Sequence, residues 1–356
     1  MRRFVIAGFL LLALSGCPAE QRDLVSTRTP DARGMVSAAD PRAAEAGAEM
    51  LRRGGSATDA AIATMIALTV VEPQSSGIGG GGFFLHGDAE GSIETIDGRE
   101  TAPMAAGPDW FLDEAGNPRP YFEAVLSGLS VGVPGNIRLA ALAHERHGRL
   151  AWRELFDPAI ELARDGWVIT ERTRDYLLRA ENRAAATEAG RALFYDADGE
   201  PLAVGSVVRN PALVATFEML AEEGPEAFYR SDNAQAIVST VSAATPRARA
   251  MVTGDLEYYA ARMREPVCGN YRAYRICGMG PPSSGATTVL AILGQLEGYD
   301  IAGLGRESPV AWHLFAESQR LAFADREFYL GDSDFVPVPV WGLVDPGYLA
   351  DRAELI

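Results

Sequence analysis

Apolar and polar positions alternate along the chain with two periods, and short polar punctuation separates the runs. Asp40-Pro41 offers a capping carboxylate and a proline suited to a first helical position, and Gly54 offers a stop, so the spacing predicts a helix between them. Ser56 caps the next, from Ala57 to about Val70, whose Ala, Ile, Met and Leu content suits a buried element. The same punctuation opens helices at Pro134-Gly135-Asn136 (ending near His147-Gly148), Asp157-Pro158 (stopped by Gly166), Asn210-Pro211 (stopped by Gly224) and Ser308-Pro309 (running through Tyr329 to Gly331). Strands are expected at Gly82–Gly87, Ser92–Asp97, Glu265–Asn270 and Tyr274–Met279. Few of them alternate with helices in a βαβ rhythm, so the expected class is α+β rather than a doubly wound sheet. No linker interrupts residues 34–356, which read as one domain.

Between the second helix and the first strand stands Glu72-Pro73-Gln74-Ser75-Ser76-Gly77-Ile78, then four glycines and Phe83-Phe84. Such a tract exposes bare backbone N–H groups and lets the chain run close to something else. Gly77, Gly79 and Gly82 fit G-x-G-x-x-G, but that fingerprint needs a strand before it and a helix after it. Here the order is reversed, and the dinucleotide reading is rejected. Gly128-Leu129-Ser130-Val131-Gly132 fits the G-x-S-x-G elbow, yet the elbow needs a helix to begin at the serine. Pro134-Gly135 delays it, so Ser130 reads as a loop residue, with a serine esterase as the outside alternative.

Composition narrows the picture. The 356 residues are 47% hydrophobic and 22% charged, with a net charge of −16 and no basic stripe. That argues against nucleic acid as a partner. Arg2-Arg3 and the apolar run Phe4–Leu14 form a signal-like start, too short to span a bilayer. Leu14-Ser15-Gly16-Cys17 resembles a lipobox, so residues 1–16 are expected to be a signal peptide, Cys17 the lipidated residue and 17–33 a polar tether. Export to the periplasm or outer face, with membrane anchoring through the lipid, is the expectation. Export brings oxidising conditions. If Arg272-Ala273 is a two-residue turn, Tyr271 faces Tyr274 and Cys268 falls opposite Cys277 in a close, non-hydrogen-bonded pair, where a cross-strand disulfide is sterically plausible. A zinc half-site is the poorer reading of these cysteines, for want of a nearby histidine. His144 and His147 share a helix face without a third ligand and are expected to be a solvated pair. His86 and His313 lack a neighbouring acid in sequence, and Trp312, Phe315 and Phe323 are expected in the core. No cofactor and no metal site are expected.

Taken together, the blocks resemble the γ-glutamyltransferases, or glutathione hydrolases. The carrying residues include Gly34-Met35-Val36, Gly54-Gly55-Ser56-Ala57, Val70–Phe83, Asp97-Gly98-Arg99-Glu100-Thr101-Ala102-Pro103 and Gly132-Val133-Pro134-Gly135. Later blocks are Ala163-Arg164-Asp165-Gly166, Ala227-Phe228-Tyr229, Tyr271-Arg272-Ala273-Tyr274, Pro281–Gly285, Ala324-Asp325-Arg326 and Tyr329-Leu330-Gly331-Asp332. The resemblance implies a four-layer αββα sandwich of the N-terminal nucleophile hydrolases, incomplete in this chain. It also implies self-cleavage of a precursor into a large and a small segment, and acyl transfer by a threonine freed at the cut, its α-amine serving as base. The threonine belongs to a Thr-Thr-His type motif. Thr287-Thr288 is followed by Val289 and is expected to lie before a helix, so no catalytic residue is assigned in this chain. The chain is expected to be the large segment, whether truncated or a piece of a longer precursor, and inactive alone, with its own small C-terminal segment as partner. An in-frame Thr-Thr-His segment after codon 356 would separate this from a non-catalytic lipoprotein. The resemblance assigns Arg99 to the α-carboxylate of a small γ-glutamyl substrate, against the plain alternative of an ion pair with Asp97 or Glu100. A cephalosporin-type acylase on the same scaffold is the related alternative. Ser56 and Ala286 depart from the family's asparagine and glycine.

Overall fold

The computed structural model describes residues 34–179 and 184–356; the expected signal peptide, Cys17 and the tether lie outside the described residues. Residues 34–356 cluster as one unit of mixed helix and sheet, an α+β arrangement. At its centre is the helix Ala57–Val71, buried at most of its positions because it is apolar nearly all round. Its start is a capping box: Ser56 Oγ accepts from the Asp59 N–H (3.1 Å) and the Asp59 carboxylate accepts from the Ser56 N–H (2.7 Å). One oxygen of the same buried carboxylate, Oδ2, also accepts from the backbone N–H groups of Arg149 (2.9 Å) and Leu150 (3.2 Å), which offsets part of the cost of burying a charge, while Oδ1 has no hydrogen-bond partner among the described residues. Helices Pro41–Arg52, Asn136–His147 and Asp157–Asp165 pack around it. Ile66, Ile96, Phe156, Phe217 and Tyr229 are among the fully buried side chains of this core.

Seven strands are present among the described residues: β1 (Gly82–Gly87), β2 (Ile93–Gly98), β3 (Trp167–Val168), β4 (Val207–Val208), β5 (Arg262–Arg264), β6 (Val267–Tyr271) and β7 (Tyr274–Gly278). They form a three-stranded sheet in the order β1-β2-β5 and two antiparallel pairs, β3-β4 and β6-β7. The four expected strands are there, Gly82–Gly87 with the expected bounds and the other three shifted by one or two residues at an end; β5, β3 and β4 were too short to show a period. In the β6-β7 hairpin Tyr271 faces Tyr274 and Cys268 faces Cys277, with Cα atoms 4.1 Å apart and the sulfurs joined. Arg272 carries the positive φ (55°) that this turn needs at its first central residue.

Three expectations are corrected. Trp312, Phe315 and Phe323 are 61%, 40% and 50% exposed rather than core. Their helix, Pro309–Tyr329, buries Ala311, Leu314, Ser318, Ala322 and Asp325, a stripe of mostly small residues at helical spacing that lets the helix Gly285–Leu296 approach closely. The aromatics lie outside that stripe. Thr287 and Thr288 lie within the first turn of Gly285–Leu296, not ahead of it. His144 and His147 are half-buried and partnered rather than solvated. A His144 ring nitrogen is 2.9 Å from the Leu150 carbonyl, while His147 meets the Glu94 carboxylate at 2.9 Å and stacks on His86 at 3.7 Å. Among the described residues no helix is long and apolar enough to cross a membrane.

Candidate functional site

β2 is the middle strand of its sheet, so both of its backbone edges are paired and its end is held firmly. The chain leaves it at Gly98 and presents Arg99. Asp97, buried at the end of the strand, turns its carboxylate back: one oxygen accepts from the Arg99 N–H (3.0 Å) and the other from Arg264 Nε (3.1 Å). Arg264, on β5, spends its remaining nitrogens on Asp334 at 2.5 and 2.8 Å, and Arg262 reaches the same carboxylate at 2.9 Å. The Asp334 hydrogen bonds, followed by that to Asp97, raise the Arg264 pKa further above the ordinary arginine value. On the other side of Arg99, the Tyr259 O–H donates to its carbonyl (2.7 Å).

The glycine tract runs beside this turn. The Gly80 carbonyl accepts from the N–H groups of Gly135 (2.9 Å) and Asn136 (3.0 Å), which open the helix Asn136–His147, and the Asn136 side-chain amide donates to the Gly77 carbonyl (2.7 Å). Three backbone segments, 77–82, 98–100 and 135–136, therefore meet closely. A Cβ on Gly81 would sit 2.6 Å from the Gly98 carbonyl oxygen and 2.7 Å from the Glu100 nitrogen; one on Gly135 would sit 2.0 Å from that same oxygen. Close approach accounts for Gly81, while Gly79 has open space at its Cβ position, and the helix-before-strand order that set aside a dinucleotide fold is the observed one.

The Arg99 side chain itself is 52% exposed. Its Nε lies 3.2 Å from a buried Glu100 oxygen, and its guanidinium carbon is 6.0 Å from the centre of the Phe83 ring, within cation–π range. The ion pair weighed as the plain alternative is thus present with Glu100, whereas Asp97 holds the Arg99 backbone. Among the described residues nothing is hydrogen-bonded to the two terminal nitrogens of Arg99. An open pair of N–H groups on a planar fork is the geometry that receives a carboxylate bidentately. Larger hollows lie elsewhere: one of ≈ 710 Å³ between β6 and the helices Gly285–Leu296 and Pro346–Ala353, and one of ≈ 620 Å³ between Pro41–Arg52 and Asp157–Asp165. Neither is lined by Arg99.

The remaining sequence candidates fall away from this turn. Ser130 ends a single 3₁₀ turn with no strand–helix elbow, and its hydroxyl donates to the Val125 (2.8 Å) and Ser127 (3.1 Å) carbonyls. Ala286 is buried against Gly278, where a Cβ would meet its own at 3.0 Å, so the methyl fills the space above the β7 end. Tyr259, Arg264 and Asp334 were not singled out from sequence. The signal available was the opposed charge of Asp97 and the Arg-Met-Arg run of β5, which only strand pairing makes adjacent.

The family model for γ-glutamyltranspeptidase matches residues 43–356. The glutathione hydrolase proenzyme of Bacillus subtilis (strain 168) is 38% identical over 328 residues, covering 91% of this chain and 54% of that protein. The acylase ACY 1 proenzyme of Pseudomonas sp. (strain V22) is also 38% identical, over 330 residues, covering 91% and 58%. The chain therefore spans about half the length of the curated relatives it matches. Among solved structures, the γ-glutamyltranspeptidase of Helicobacter pylori superposes with a TM-score of 0.86 at 34% identity, covering 91% of this chain and 92% of that one. With a family model over most of its length and the Asp97–Glu100 turn built as described, this chain belongs to the γ-glutamyltranspeptidase family.

Proposed function

We propose that these residues form the large segment of an exported enzyme that transfers or hydrolyses γ-glutamyl groups, on glutathione and related γ-glutamyl amides, with Arg99 gripping the α-carboxylate of the glutamyl donor. In this reading the attacking hydroxyl is a threonine supplied by polypeptide beyond the 356 residues, which completes a four-layer αββα sandwich, and residues 34–356 bind but do not cleave. Cys17 would carry the lipid that holds the protein at the membrane, and Cys268–Cys277 would be an oxidised pair suited to that compartment. The observation that carries the reading is the half-exposed guanidinium at the end of the central strand, its backbone tied on both sides and its terminal nitrogens open.

The test is Arg99→Lys in the full-length precursor. Lysine keeps the charge but loses the fork. Charge-assisted hydrogen bonds are worth about 1.5–3 kcal/mol each, so the KM for a γ-glutamyl anilide should rise roughly tenfold or more while kcat changes little. An unchanged KM removes Arg99 from the site. The equal similarity of the acylase ACY 1 proenzyme favours a second reading, an acylase acting on other acyl groups. Turnover of other acyl amides in preference to γ-glutamyl ones would select it.

A further inference from the structure

The side chain of Arg99 has little to hold it: one ion pair, one distant aromatic face, and solvent. Its aim must come from the backbone. The peptide N–H of Arg99 is fixed by Asp97, and the peptide carbonyl, among the described residues, by a single group, the hydroxyl of Tyr259, which comes from 160 residues further along the chain. Those two bonds flank the Arg99 Cα and so set the direction in which the side chain leaves.

Tyr259 is built for that task. It follows the helix Thr253–Tyr258, is 6% exposed, and lies parallel to the buried Tyr229 ring, with centres 6.1 Å apart. Tyr229 in turn donates its O–H to the Pro134 carbonyl (3.0 Å) and accepts from the Arg138 N–H (3.2 Å). The two rings thus tie the turn that carries Arg99 to the start of the helix against which the glycine tract rests. A Cβ on Gly135 would come within 2.3 Å of the Tyr259 oxygen, so the glycine is what admits the hydroxyl. Burial, and then the charges of Asp97 and Glu100, raise the Tyr259 pKa and keep it a proton donor throughout the neutral range.

We propose that Tyr259 is the positioning residue for Arg99: through its hydrogen bond to the Arg99 carbonyl it pre-aims the guanidinium and thereby sets the preference for donors that carry an α-carboxylate. The inference rests on Arg99 being the group that grips that carboxylate. A site group aimed in advance spends less on ordering when its ligand arrives, and that saving is felt only by ligands that use the group.

The experiment uses the full-length precursor and two donors, a γ-glutamyl anilide and the 4-aminobutanoyl anilide, which differ only by the α-carboxylate. The measured quantity is the ratio of their kcat/KM values. Because both donors are assayed on one preparation, differences in the yield of folded enzyme cancel. Tyr259→Phe should lower the ratio roughly three- to tenfold, the span expected for losing one hydrogen bond. The loss should sit in KM for the γ-glutamyl donor, and it should vanish when Arg99 is already alanine. Tyr258→Phe, at an 89% exposed neighbour, should leave the ratio as it was. An unchanged ratio in Tyr259→Phe alongside a lowered one in Arg99→Lys overturns the inference and spares the reading of Arg99. Unchanged ratios in both overturn both. A Tyr259→Phe chain with no folded fraction also overturns it, since the hydroxyl would then serve the whole fold rather than Arg99.

Discussion

Gly135→Ala is the sharpest perturbation of the backbone junction. The added methyl would lie 2.0 Å from the Gly98 carbonyl oxygen and 2.3 Å from the Tyr259 hydroxyl, where ordinary contact begins at 3.4 Å. The shortfall on the carbonyl is about 1.4 Å, and the obstacle is the end of the central strand, which cannot swing aside as a flexible side chain could. Either β2 or the start of the helix Asn136–His147 must move. Overpacking of this kind costs about 1–3 kcal/mol. Moving the helix start also strains the two bonds to the Gly80 carbonyl, at 2.9 and 3.0 Å, each worth about 1 kcal/mol. The sum is about 3–5 kcal/mol, which at about 2.1 cal/mol/K per residue lowers the thermal midpoint by roughly 2–4 °C in a precursor about twice as long as this chain. The assay is thermal unfolding of the full-length precursor followed by circular dichroism at one scan rate. Gly298→Ala is the companion: nothing lies within 4 Å of its Cβ position and its φ is not left-handed, so that variant should match the parent or gain slightly. A Gly135→Ala midpoint within about 0.5 °C of the parent would refute the close-approach argument.

Two further outcomes are expected. Replacing Cys268 and Cys277 with serine removes a cross-link between residues nine apart, which by loop-closure entropy costs about 2–3 kcal/mol; reductant should lower the midpoint of the parent and leave the double variant unmoved. Acidification should weaken the contact between the β1-β2 hairpin and the end of the helix Asn136–His147. Glu94 is held down to about 2, chiefly by its hydrogen bond from Arg146 and then by His147, so its contribution is present above 4.5 and lost as pH falls towards 2. Burial and the neighbouring His147 lower the pKa of His86, outweighing the pull of Glu94 and Asp88, so the folded state resists a proton that the unfolded chain accepts near 6.5, and stability falls in that window too. Glu94→Gln should flatten the lower limb of a stability–pH curve and, by removing a charge that pulls the His86 pKa up, deepen the His86 limb slightly; an unaltered lower limb would contradict the assignment.

The elements legible in the sequence are those whose ends carry chemistry. Asp40-Pro41, Ser56, Asn210-Pro211 and Ser308-Pro309 announce helix starts because a side-chain acceptor and a fixed φ act within a few residues. The β6-β7 register was legible for the same reason, since a two-residue turn dictates every pair outward from it. What stayed hidden is long-range. β5 is three residues long and has meaning only as the partner of β2. Tyr259 shows no local sign that its hydroxyl ends on Arg99. The aromatics of Pro309–Tyr329 mislead because residue type suggests burial, while the stripe that packs is the small one. Arg99 could be singled out through its resemblance block, but its tether to Asp97 and its pairing with Glu100 needed coordinates.

The ionic chain from Asp97 through Arg264 to Asp334 joins segments that no exchange of short blocks would keep together. Arg264 is only 17% exposed, so a hybrid that takes position 334 from one parent and positions 97 to 264 from another risks stranding a cation with half its partners. Recombination between relatives is therefore safest when residues 97, 262, 264 and 334 travel as a set, and crossover points placed between 264 and 334 are where mismatched hybrids should misfold first.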